Sequence, residues 1–227
     1  MKMLAIDTAT EACSAAVYLD EKIDSVFEVC PQQHSQKLLP MVETLLSRNN
    51  QQLSDMDYLV FGRGPGSFTG VRISTGIVQG LSLGIDKPVV GISTLATMAQ
   101  QAIDEEQVRL VAVAIDARMD EVYFGLFENI NGIATLQGEE RVTAPDLVLE
   151  TLTSNPDILC GTGWTAYPAL SSVVEQVGEP TILFPASASM IPLAIRAIEQ
   201  GQFCDAEHIQ PVYLRDKVTW KKLPGKE

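Results

Sequence analysis

Apolar and polar positions follow two alternating rhythms along the chain. Leu4–Ile6, Cys13–Leu19 and Ile23–Cys30 are short apolar or alternating runs that predict three strands, with a turn at Asp20-Glu21. From Ser35 the period lengthens to that of a helix, with Leu38, Leu39, Val42, Leu45 and Leu46 on one side. Pro40 is read within its first turns, where a missing amide costs least. Tyr58–Phe61 predicts a buried strand and Gly62–Gly70 a glycine-rich turn. A helix follows from Val71 to about Gly84, then a strand Pro88–Ile92 and a helix capped by Ser93 and running through Ala102. Asp104-Glu105-Glu106-Gln107 reads as a polar joint.

Beyond the joint the rhythm restarts. Leu110–Ile115, Glu121–Phe127 and Ile133–Arg141 predict strands. A helix follows Pro145, then a strand Ile158–Cys160, a Gly161-Thr162-Gly163 turn and a helix. Thr181–Phe184 reads as a strand and Ser187 as the start of a last long helix. Ala5-Ile6-Asp7 recurs as Ala114-Ile115-Asp116, and Phe61-Gly62-Arg63-Gly64 is echoed by Cys160-Gly161-Thr162-Gly163. This doubled βββαβαβα order resembles the actin-like, sugar-kinase and heat-shock-chaperone ATPase fold, an α/β architecture of two RNase H-like lobes. The expected division is 1–104 for an N-terminal lobe, 105–215 for a C-terminal lobe and 216–227 for a basic tail. Fold analogy alone leaves function open.

Composition narrows the choices. The 227 residues carry 16 Lys and Arg against 29 Asp and Glu, a net charge of −13, which disfavours free-standing binding to nucleic-acid phosphate. Cys13, Cys30, Cys160 and Cys204 contain no CxxC pair, and His34 and His208 show no metal-ligand spacing, so reduced thiols and no dedicated metal site are expected. Asp7 and Glu11 fall where a secretion signal needs an apolar core. No apolar run approaches the roughly 20 residues of a membrane span, so a cytoplasmic chain is expected.

Asp7 and Asp116 end equivalent strands, where phosphotransferases of this layout keep carboxylates. The following tips, Thr8-Ala9-Thr10 and Ala117-Arg118-Met119, lack the glycine that close approach to phosphate favours. The loop Gly62–Gly70 is neither a P-loop nor a GxGxxG motif. Its amides, with the hydroxyls of Ser67 and Thr69 and the charge of Arg72, read either as an anion nest or as a tight packing turn. A vestigial phosphate site would comprise Asp7, Thr8, Gly64, Gly66, Ser67, Thr69, Gly70 and Asp116. The helix after the loop carries Gly76, Gly80 and Gly84 on one stripe, each about 1 kcal/mol worse than alanine inside a helix. Such a stripe suggests close approach of another helix. The tail gathers Lys217, Lys221, Lys222 and Lys226 around Trp220, a solvated end or an anchor for an acidic partner.

Leu4-Ala5-Ile6-Asp7-Thr8-Ala9-Thr10, His34-Ser35 with Leu38-Leu39-Pro40, Gly64-Pro65-Gly66-Ser67-Phe68-Thr69-Gly70-Val71-Arg72, Gly91-Ile92-Ser93-Thr94-Leu95, Asp116-Ala117-Arg118 with Glu121-Val122-Tyr123, and Pro211-Val212-Tyr213-Leu214-Arg215 together resemble the bacterial TsaB (YeaZ) family, and the tail resembles its gammaproteobacterial branch. The resemblance implies a noncatalytic subunit required for N6-threonylcarbamoylation of adenosine 37 in ANN-decoding tRNAs. It implies pairing with the catalytic subunit TsaD through the two N-lobe helices, a ternary complex with the ATPase TsaE, and a homodimer through the same face. No cofactor is expected on this chain alone, because ATP and Mg would be used through the other subunits, and tRNA would be met only within the complex. On this reading the partner face comprises Leu38, Leu39, Val42 and Leu46 of the first helix and Arg72, Ile73, Gly76, Ile77, Gly80 and Leu83 of the second. The alternatives are an active nucleotide-dependent phosphotransferase and a glycoprotease-like peptidase.

Overall fold

The computed structural model describes residues 1–152 and 154–215, so the basic tail lies outside the described residues. In the N-terminal half the strands are β1 (Lys2–Asp7), β2 (Ala12–Leu19) and β3 (Lys22–Val29). Helix α1 (His34–Arg48), strand β4 (Tyr58–Gly62), helix α2 (Phe68–Ile85), strand β5 (Val89–Ile92) and helix α3 (Thr94–Glu106) follow. The sheet order is β3-β2-β1-β4-β5, with β4 and β5 parallel to β1. The C-terminal half has β6 (Leu110–Arg118), β7 (Glu121–Ile130), β8 (Ile133–Thr143), α4 (Pro145–Thr151), β9 (Ile158–Cys160), α5 (Gly163–Ala166), α6 (Ser171–Val177) and α7 (Met190–Glu199). Its sheet order, β8-β7-β6-β9, repeats β3-β2-β1-β4 of the first, without a counterpart of β5. The fold is the duplicated actin-like arrangement that the repeat predicts.

Alternation within strands sends side chains to both faces of each sheet, and three cores result. Met3, Ala5 and Val60 of the first sheet and Val111 and Val113 of the second face one shared core, with Leu95 and Met98 of α3 and Met190 and Ile191 of α7 between them. Leu4, Ile6 and Val17 point the other way, into a core closed by α1 and α2. Phe124, Val148 and Trp164 form a third core under the second sheet. Helices α3 and α7 therefore bind the two lobes into one body, and α1 and α2 cover only the outer face of the first sheet.

Several boundaries differ from the sequence expectations for local reasons. Helix α2 starts at Phe68 rather than Val71, because the Ser67 side chain accepts a hydrogen bond from the Gly70 amide and caps it. Helix α3 runs on to Glu106, so most of the supposed joint is its last turn, closed by Gln107 in a left-handed conformation. Pro40 sits in the second turn of α1, within the first turns as expected. The amide it lacks would have reached the carbonyl of Gln36, an exposed residue. Thr181–Phe184 is not a strand: between Pro180 and Pro185 only one bridge forms, Cys160 with Ile182. The last helix is shorter than expected, with a 3-10 turn at Ser187–Ser189 preceding α7. No helix among the described residues is long and apolar enough to cross a membrane.

Candidate functional site

The end of β1 meets the glycine loop face to face. Asp7 is fully buried, and its Oδ1 accepts the Ala9 amide at 2.9 Å. Its Oδ2 is buried without a partner, against Gly62, where a Cβ would stand 1.7 Å away. Removal from water pushes the Asp7 carboxyl up to about 7, and the Ala9 amide opposes this only in part. The loop folds onto the neighbouring tip. The Ser67 amide donates to the Ala9 carbonyl at 2.7 Å and the Thr8 hydroxyl to the Gly70 carbonyl at 2.7 Å. A Cβ on Gly66 would lie 2.3 Å from the Ala9 carbonyl oxygen, and one on Gly70 2.0 Å from that of Thr8. Glycine is needed here so that two backbone segments can touch.

Of the two readings of the loop, these contacts favour the packing turn. The Ser67, Gly70 and Val71 amides are taken up by the Ala9 carbonyl, the Ser67 hydroxyl and the Ser67 carbonyl. Gly64, at φ +94°, packs beside the Val212 carbonyl, and Thr69 is exposed. Arg72 does not turn toward the loop amides. Its guanidinium lies 3.7 Å from the Phe68 ring centroid, and its Nε donates to the Tyr213 hydroxyl at 3.2 Å.

The second strand end is also occupied by the chain's own groups. Asp116 accepts from the Arg118 amide at 2.8 Å, the Arg118 guanidinium at 2.7 Å and the Tyr167 hydroxyl at 2.7 Å. Burial and the facing Asp116 carboxylate push the Tyr167 phenol up to about 12, so it stays a donor. Three successive non-glycine residues, Arg118, Met119 and Asp120, hold positive φ near 60° at this tip. The structure thus places Asp7 and Asp116 at equivalent strand ends, the first sealed and the second bound by an arginine.

The α2 surface has the opposite character. A Cβ on Gly76, Gly80 or Gly84 would meet nothing within 4 Å, so nothing among the described residues requires glycine at these positions. Phe68 is 54% exposed and Leu83 64%, with Ile73 and Ile77 half-buried beside them. On α1 the expectation needs correction. Leu38, Val42 and Leu46 are buried in the core beneath the first sheet, and of the four predicted face residues only Leu39 is exposed.

Residues 25–187 match the family profile described as "TsaD: tRNA N6-adenosine threonylcarbamoyltransferase". The tRNA threonylcarbamoyladenosine biosynthesis protein TsaB of Escherichia coli (strain K12) is 47% identical, covering 100% of both chains. The protein of the same name in Haemophilus influenzae is 39% identical over 100% of this chain and 99% of its own. The chain belongs to the TsaB family. A crystal structure titled "YeaZ from Pseudomonas aeruginosa" superposes with a TM-score of 0.82 at 41% identity, covering 94% of this chain and 99% of that one. A second, titled as an uncharacterized protein with similarity to peptidase YeaZ, gives 0.83.

Within this TsaB-family chain, sequence reasoning missed the segment Pro211–Arg215 as a structural part. The Val212 amide donates to the Arg63 carbonyl at 2.7 Å, and the Tyr213 ring packs 5.4 Å from that of Phe68. Arg215 donates to the Arg118 carbonyl at 3.2 Å and pairs with Glu121. The strap therefore joins the start of α2 to the second strand-end tip. Its signal, Tyr213 and Arg215 in a Pro-Val-Tyr-Leu-Arg run, names no partner, because Phe68, Arg72 and Glu121 lie far away in sequence.

Proposed function

We propose that this chain serves tRNA threonylcarbamoyladenosine biosynthesis as a noncatalytic, cytoplasmic subunit that binds TsaD through the α2 face and the exposed edge of α1. The observation that carries the reading is the glycine stripe: Gly76 and Gly80 inside α2 and Gly84 in its last turn, each exposed, on the helix that also exposes Phe68 and Leu83. Each glycine costs the isolated helix about 1 kcal/mol against alanine, and close contact with another helix is what offsets it. The strand ends support the same reading, since Asp7 is sealed from solvent and Asp116 is engaged by Arg118 and Tyr167. ATP and Mg are then used by other subunits, TsaE joins the paired chains, and tRNA meets this chain only inside the assembly. Without TsaD, a second copy covers the same face.

The test is binding and activity together. Gly80→Leu should fold normally, because its Cβ faces open space, while weakening TsaD binding by at least about tenfold in calorimetry. It should lower tRNA modification in a reconstituted reaction in parallel. TsaD affinity equal to wild type would remove this face from the interface. Undiminished modification without the chain would remove the role itself.

A further inference from the structure

A groove of about 820 Å³ opens between the β4–β5 strand ends, the start of β8 and the C-terminal half of α7. It contains neither strand-end carboxylate and no part of the α2 face. Its chemistry departs from that of the molecule around it. The chain holds 29 acids against 16 Lys and Arg, yet no Asp or Glu is among the described lining residues, which include Arg63 and Arg196. Neither arginine forms an ion pair among the described residues. The Nε of Arg63 is buried without a hydrogen-bond partner. Glu140, outside the lining, accepts the hydroxyl of the lining residue Ser93 and lies within electrostatic reach of Arg63, whose charge favours its ionised form. His208, also in the lining, is tied to Asp205 at 2.6 Å and brings little net charge.

A buried donor without an acceptor costs about 1–3 kcal/mol, more when charged, and folded proteins keep few of them. That nitrogen is itself closed to solvent, so what the groove meets is the rest of the half-buried Arg63 side chain, beside the exposed Arg196. The remaining lining divides into two kinds. Leu136 and Phe203 are apolar and exposed, and Gln200, Gln202 and Gln210 carry exposed amides that both donate and accept. Arginines suit a phosphate, apolar surfaces suit a planar ring, and amides suit the mixed edge of a base.

We propose that this groove binds a mononucleotide, its phosphate toward Arg63 and Arg196 and its base among Leu136, Phe203 and the glutamine amides. The inference does not depend on the partner role of α2. The test uses the full-length chain with ¹⁵N label, titrated with AMP, adenosine and inorganic phosphate in turn. Saturable shifts are expected in the side-chain amides of Gln200, Gln202 and Gln210 with AMP, and each half-ligand should bind at least about tenfold more weakly. Arg196→Glu, at an exposed position in the last turn of α7, should weaken AMP by at least about tenfold, with thermal unfolding run alongside to show that the variant is folded. Arg63→Gln should do the same, while Lys22→Ala should bind as wild type. The proposal is overturned by the absence of saturation at millimolar AMP, by AMP binding that survives Arg196→Glu, by phosphate alone binding as tightly as AMP, or by shifts confined to the Ala9 and Ser67 amides of the strand-end site.

Discussion

At Asp7 a carboxyl group ends a strand inside the protein, with one oxygen on the Ala9 amide and the other on nothing. Its folded value near 7 stands above the ordinary 3.8, so between those values the folded chain binds a proton that the unfolded chain does not. The sign follows from linkage: stability from this group is fully present below pH 3.8, falls as pH rises toward about 7, and is constant above. The span corresponds to at most about 4 kcal/mol. Denaturant midpoints measured from pH 5 to 8 should therefore decline for the wild type, whereas Asp7→Asn should be flatter and the more stable of the two at pH 8. A parallel decline in both proteins would assign the pH dependence to other groups. The loop glycines belong to this scale too. Gly66→Ala and Gly70→Ala each force a methyl group into a backbone carbonyl, and each should lose about 1–3 kcal/mol, read as a lowered urea midpoint.

Among the helices, glycine carries two meanings that the sequence does not separate. In α2 the substitution Gly76→Ala adds a methyl group in open space and removes backbone freedom from the unfolded chain, so it should raise stability by about 1 kcal/mol. Thermal unfolding of Gly66→Ala and Gly76→Ala should therefore shift in opposite directions, although both begin as glycine to alanine within one motif region. Periodicity made the elements legible: strands with period two, helices with apolar positions three and four apart, and the second lobe as a repeat of the first. It could not divide an apolar helix face between core and partner, and this is why Leu38, Val42 and Leu46 read as surface beside Leu39. The division depends on how far the sheet beneath reaches, which is a property of β1, β2 and β4 together. The same limit explains Thr181–Phe184, whose apolar residues fit a strand but whose flanking prolines leave it only one bridge. The strand-end site was legible as a location, because Asp7 and Asp116 recur in register. Its closure was not, since it arises from carbonyls of Thr8 and Ala9 that every sequence possesses.

Across the whole molecule, the two lobes share a core through α3 and α7, while α1 and α2 stand on the outer side of the first sheet. The strap Pro211–Arg215 ties the edge of that outer face to the second lobe, through Tyr213 on Phe68 and Arg215 on Glu121. Tyr213→Ala should therefore loosen the Phe68–Arg72 end of the face and weaken TsaD binding while leaving the shared core, and hence the unfolding midpoint, nearly unchanged. One outer face also limits what can be assembled. In the proposed homodimer, two copies related by a two-fold axis would present the same glycine stripe to each other, so that pairing hides both α2 surfaces. A TsaD molecule that uses the stripe must displace a copy rather than add to the pair. In sedimentation velocity, equimolar TsaD should replace the homodimer with a one-to-one heterodimer, and raising the concentration of this chain should slow that exchange. Gly80→Leu should appear as monomer and remain so when TsaD is added. A stable species containing two copies of this chain on one TsaD would show that self-association and TsaD binding use separate surfaces, and the α2 stripe could then serve only one of them.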